Sequence, residues 1–83
     1  MTLRISAAGS HATVRLKLDG RLTAEDVPGL LGTCAELEER LVLDLTDLQF
    51  ADRPGVRALR ELRARGAELT GASPYLRLLL DGR

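Results

Sequence analysis

Four places in this 83-residue chain hold side chains of the kind that chemistry uses, and their neighbours decide what each can do. His11 follows the turn-forming pair Gly9-Ser10, with no second histidine and no nearby cysteine at ligand spacing. It reads as a solvated turn residue rather than a metal ligand. Cys34, the lone cysteine, falls on an apolar helical stripe with no base identifiable for it. That predicts a small core residue, not a nucleophile. Asp44 interrupts the apolar run Leu41, Val42, Leu43 and Leu45. An acid at a strand end that accepts bonds from loop amides accounts for it without catalysis. The fourth place is Asp52, Arg53, Pro54 and Gly55, where an acid able to cap a helix precedes a proline that a first turn tolerates. Backbone N–H groups at such a helix start face solvent, and with Arg53 and Arg57 as counter-charges they make a docking or anion-binding surface. No Gly-rich phosphate loop supports nucleotide binding, since Gly29 and Gly32 are too sparse.

The elements that position these residues follow from periodicity. Leu3, Ile5 and Ala7 alternate with Arg4 and Ser6, and Val14, Leu16 and Leu18 alternate with Thr13, Arg15 and Lys17, which predicts an antiparallel hairpin with one wet face. Asp19-Gly20 ends the second strand. Val27, Leu30, Leu31, Cys34 and Leu37 then recur at helical spacing. Thr23 and Asp26 are spaced as a capping box, but Pro28 would then occupy a position that needs an N–H. Asp26 is the better cap, with residues 23–25 as a turn. The run at residues 41–45 is a strand apolar on both faces, so helices are expected to flank it. Val56, Leu59 and Leu62 give the second helix its buried face, and Gly66 its stop. Residues 67–70 form a short, weakly patterned strand. Ser73 and Pro74 open a last helix, with Leu76, Leu79 and Leu80 inward. Leu78 and Leu80 cannot both reach one small core. The expected order is β-β-α-β-α-β-α with a mixed sheet, an α/β fold in one domain over residues 1–83.

Composition excludes several functions. One domain of this size has no second lobe to form a deep substrate cleft, which weighs against an enzyme. The core is aliphatic, with one Phe, one Tyr and no Trp, so stacking platforms for single-stranded nucleic acid are absent. Net charge is zero, without the basic footprint of a nucleic-acid binder. The charge is unevenly spread: acids outnumber bases eight to two over residues 19–47, whereas residues 53–65 carry five arginines and one glutamate. Such a basic ridge is either an inert solvated face or a binding surface. The lone cysteine rules out an internal disulfide framework. With no signal peptide in the first residues and no apolar span, the expectation is a cytoplasmic protein without membrane insertion. Arginine replaces lysine everywhere except Lys17, which fits a GC-rich bacterial genome.

The strand that ends in Asp47-Leu48, the apolar pair Phe50-Ala51 and the Asp-x-x-Gly of Asp52 and Gly55 together resemble the STAS domain, named for sulphate transporters and anti-sigma factor antagonists. Val14 to Leu22, with its Gly20-Arg21-Leu22 exit, is similar to that family's second strand. Gly66-Ala67-Glu68-Leu69 and Ala72-Ser73-Pro74 resemble its last parallel strand and the following helix start. The likeness implies a regulatory, non-enzymatic module that binds a protein, with no cofactor. In the family's antagonists the residue after the motif Asp is a Ser or Thr that a kinase phosphorylates, and here it is Arg53, which has no hydroxyl. The family's acid shortly after the Gly-x-Leu exit is replaced by Thr23, with Glu25 and Asp26 close by. Members of usual length continue with a further strand and helix, so this chain reads as a minimal version with an edge or apolar face left uncovered.

Three functions stay open on this reading. The first is an anti-sigma factor antagonist-like module without the phosphorylation switch, docking a kinase-like anti-sigma factor through Asp52, Arg53, Pro54, Gly55 and Arg57 together with Thr23 and Glu25. The second is an accessory STAS subunit that binds the ATPase of a phospholipid-transport ABC complex. The third is direct binding of an anionic lipid or nucleotide by the basic helix. A homodimer is compatible with each.

Overall fold

The computed structural model describes residues 3–9, 12–37 and 40–82 of the chain. Strands β1 (Leu3–Gly9) and β2 (Thr13–Leu22) lead into helix α1 (Val27–Ala35), then β3 (Arg40–Asp44), β4 (Leu48–Ala51), α2 (Arg53–Ala64), β5 (Glu68–Thr70) and α3 (Pro74–Asp81). His11, expected in the hairpin turn, lies outside the described residues.

β2 is the axis of the sheet. Along one edge it pairs antiparallel with β1, from Leu3 opposite Gly20 to Gly9 opposite Val14. Along the other it pairs in parallel first with β3, Leu16 opposite Leu43, and then with β4, Leu22 opposite Ala51. β5 adds to the far side of β3, with Leu43 opposite Leu69. The sheet is therefore mixed α/β in the order expected, with one strand more. β4 was hidden because its four residues follow a turn and pair with β2 only past a register shift at Gly20 and Arg21.

A correction follows for β2, which does not end at Asp19-Gly20 but runs on to Leu22. Gly20 adopts φ 98°, a left-handed conformation that glycine enters without strain, and its N–H is bonded to the Asp47 carbonyl at 3.1 Å. The strand bends there without being broken. Turn chemistry alone does not distinguish a bend inside a strand from its end.

Burial alternates along β2, where Leu16, Leu18 and Leu22 are fully enclosed while Arg15 and Arg21 are exposed. The enclosed leucines join Leu43 and Leu48 from the sheet, Leu45 from the turn between β3 and β4, and Leu30, Cys34, Leu59, Leu62, Leu76 and Leu80 from the helices in one aliphatic cluster. All three helices thus contribute to the same side. The expectation that helices cover both faces of β3 is corrected accordingly. Val42 is buried, at 8% exposure, but outside that cluster, on the side where its sheet neighbours are Arg15 and Glu68. The long stems of such side chains cover an apolar neighbour while their charges stay wet. This open face is laced by Lys17–Asp47 at 2.8 Å and Arg15–Asp44 at 3.7 Å.

Helix ends follow local chemistry. α2 closes in a Schellman motif: Gly66 at φ 111° donates its N–H to the Arg63 carbonyl and Ala67 donates to Leu62, both at 3.0 Å. Ser73 Oγ caps α3 by accepting the Leu76 N–H at 3.1 Å. α1 starts at Val27 as expected, with Asp26 at the cap position. Its carboxylate, however, turns back to accept the Thr23 N–H at 3.1 Å and the Thr23 hydroxyl at 3.0 Å, which closes the 23–26 turn instead of capping the helix.

Candidate functional site

Because β2 and β4 are parallel neighbours, Leu22 and Ala51 finish at the same edge of the sheet, and the segments that leave them lie side by side. Ligands of α/β sheets characteristically bind beyond the carboxyl ends of strands, which is where these segments emerge.

Asp52 ties the two together. It has extended backbone, donates its N–H to the Leu22 carbonyl at 3.0 Å and caps α2 by accepting the Gly55 N–H on Oδ1 at 2.9 Å. Its Oδ2 accepts the Ala24 N–H at 2.9 Å. Both oxygens of one carboxylate are thereby committed, one to each segment. Charge-assisted bonds of this kind are about twice as strong as neutral ones.

Gly55 explains the other fixed position of the motif. A Cβ there would stand 2.7 Å from the Leu22 carbonyl oxygen and 3.0 Å from Leu22 Cγ. Only glycine lets the first turn of α2 approach β2 so closely. Asp52 and Gly55 are thus the architectural half of the motif, and Arg53 and Pro54, both exposed, are the half shown to solvent. Arg57 is exposed one turn further along α2. Thr23 and Glu25 flank Ala24, so the bond to Asp52 sets them beside the motif; Glu25 is exposed and Thr23 is held by Asp26.

Asp44 and Cys34, the other candidates, have structural roles. Asp44 accepts the side chain and the backbone N–H of Thr46, which hold its carboxyl below the ordinary carboxylate range, with Arg15 adding to the effect. That is the role expected of a strand-end acid. Burial raises the Cys34 thiol and disfavours the thiolate a nucleophile would need. Among the described residues no three His, Cys, Asp or Glu side chains gather as a metal site would, and no helix is long and apolar enough to cross a membrane.

A second feature adjoins the motif and was not read from periodicity. A groove of about 980 Å³ opens along α2 and α3, lined also by Phe50 and by the exposed Tyr75 and Leu78 of α3. The Arg21 guanidinium lies 4.5 Å from the Phe50 ring centroid. Leu78 was legible as a leucine too many for the core, but Tyr75 and Phe50 carried no such signal.

A family model described as "Mlab, STAS domain" matches residues 5–81. The chain belongs to the STAS domain family. Among solved structures, this STAS domain is similar to an antisigma-factor antagonist STAS domain from Rhodobacter sphaeroides, with a TM-score of 0.64 at 21% identity, covering 88% of this chain and 94% of that one. It is also similar to an uncharacterized DUF3478-family protein with a SpoIIAA-like fold from Shewanella loihica, with a TM-score of 0.53 at 19% identity, covering 89% and 70% of the two chains. At these identities the likeness is one of fold. No curated protein matches significantly. STAS domains are generally regulatory, non-enzymatic modules.

Proposed function

We propose that this STAS domain is a protein-binding regulatory module of the bacterial cytoplasm that docks a partner through Asp52, Arg53, Pro54, Gly55 and Arg57 together with Thr23 and Glu25. The observation that carries the reading is the Asp52 carboxylate, which joins the 23–26 turn and the start of α2 into one preorganised surface. Preorganisation lowers the ordering entropy that binding must overcome. The partner on this reading is an ATP-binding protein of the anti-sigma factor kinase type, and the domain contributes no catalysis of its own.

Arg53 makes the docking constitutive. In the family's antagonists a kinase phosphorylates a hydroxyl at this position, whereas a guanidinium offers no acceptor and carries a fixed positive charge. The complex should therefore respond to partner abundance and salt, not to phosphorylation of residue 53.

Affinity purification of the tagged protein from its own cell, beside an Arg53→Glu/Arg57→Glu double variant, tests the reading. Recovery of a kinase-like anti-sigma factor with the wild type alone is expected. An ABC ATPase recovered in its place would assign the domain as a transporter accessory subunit, and a partner retained equally by the double variant would move the interface elsewhere.

A further inference from the structure

The groove beside the motif combines an apolar floor with charge that nothing in the described residues neutralises. Arg53, Arg57 and Arg60 recur at i, i+4 and i+7 on the side of α2 opposite Leu59 and Leu62, and all three are exposed and line the groove. The two acids that line the groove are already engaged, as is Asp81 at the end of α3. Asp52 is held by two backbone amides, Glu61 pairs with Arg65 at 2.7 Å, and Asp81 pairs with Arg63 at 2.9 Å. On the opposite side, α3 turns Tyr75 and Leu78 outward, at 49% and 74% exposure.

We propose that the groove between α2 and α3 takes an acidic amphipathic helix of a partner protein, its carboxylates on Arg53, Arg57 and Arg60 and its apolar side on Tyr75 and Leu78. The proposal deepens the protein-docking function given above and rests on it for the class of partner. Charge complementarity fixes the sign: an occupant that covers Leu78 without bringing acids would bury three arginines unpaired, which is strongly unfavourable. The shape fixes the form. The groove runs between α2 and α3, with Phe50 and Ala51 of β4 also lining it, and a helix laid along it seats its side chains at i, i+3 and i+4. The three arginines are spread over seven residue steps, about 10.5 Å of helix axis, which matches acids at i, i+4 and i+7 on a helix lying alongside α2.

The probe is a fluorescein-labelled helical peptide of about 18 residues with Glu at i, i+4 and i+7 and Leu on the adjoining face, read by anisotropy against the full chain. A second peptide carries Lys in place of each Glu. The Glu peptide is expected to bind and the Lys peptide not, and Arg60→Glu and Leu78→Asp are each expected to weaken binding by about tenfold or more. Leu78 is exposed enough for its change to leave the fold intact, which circular dichroism verifies. Failure of the Glu peptide to bind, equal binding of the two peptides, binding only to phosphatidylglycerol vesicles, or self-association lost with Leu78→Asp would each overturn the proposal. The two readings separate with the co-purified partner: if Arg53→Glu/Arg57→Glu abolishes its binding while Arg60→Glu/Leu78→Asp does not, the motif docks and the groove does not.

Discussion

Asp52 accepts the Ala24 amide across 28 positions of chain, at 2.9 Å, while its other oxygen caps α2. Two segments that the sequence separates by a helix and two strands are thus held by a single carboxylate, and the proposed docking surface depends on both bonds.

Removing the carboxylate should be felt in both segments. Asp52→Ala is expected to destabilise the domain by about 1–2 kcal/mol through loss of the cap. Asp52→Asn is the sharper probe, because an amide has one acceptor oxygen and cannot serve Gly55 and Ala24 together. Amide hydrogen exchange at Ala24 should accelerate in Asp52→Asn, with the core unchanged. Unaltered exchange at Ala24 would remove the bridge from the account.

Glycines should separate by what surrounds them. Gly55→Ala places a Cβ 2.7 Å from a backbone oxygen and is expected to destabilise by about 1–3 kcal/mol. At Gly29 and Gly32 of α1 an added Cβ would meet no heavy atom within 4 Å, so Gly29→Ala and Gly32→Ala are each expected to stabilise by about 0.5–1 kcal/mol. Thermal melts of the three variants check the opposite signs.

The core should behave as one aliphatic cluster. Leu43, fully enclosed opposite Leu16 and Leu69, should destabilise by about 2–5 kcal/mol when cut to Ala, whereas Arg60→Ala should stay within about 0.5 kcal/mol. Similar small effects in denaturant melts would contradict the burial of β3.

The Asp44 carboxyl gives a pH signature. Its folded pKa is depressed, chiefly by the Thr46 hydroxyl and amide, so its contribution is complete above the ordinary Asp value of about 3.9 and is lost as pH falls through the lower folded value. Asp44→Asn should therefore flatten the acid limb of the stability profile and leave the slope near pH 7 unchanged. A profile changed only near neutral pH would contradict the assignment.

What could be read from the chain was what depends on neighbours in sequence. Asp52, Ser73 and Gly66 mark helix ends through chemistry confined to a few residues, and each does so in the structure. The alternation at Leu16 and Leu18 likewise marks an inward face. Misread features depend on partners distant in sequence. β4 is a strand because β2 continues past Gly20 to receive it, and Val42 is apolar on a polar face because Arg15 and Glu68 shelter it. Asp26 has the spacing of a cap, yet Thr23 takes its carboxylate. At the candidate site the motif was legible, but its division into architectural Asp52 and Gly55 and outward Arg53 and Pro54 required the position of Leu22, and the Tyr75–Leu78 side of the groove required α3 to lie against α2.

The central claim is that a partner protein docks on the Asp52-bridged surface through Arg53 and Arg57, and titration calorimetry of the co-purified partner against the wild type and Arg53→Glu/Arg57→Glu tests it most directly. Residue 53 lies in the first turn of α2, where an acid favours the helix dipole, and Arg57 is exposed one turn further on, so the double variant should keep its fold and isolate the effect on binding. The account predicts affinity lowered by about a hundredfold, as when charges at a complementary interface are reversed, and wild-type affinity that weakens as salt rises. Equal affinity for the two proteins, independent of salt, would contradict it.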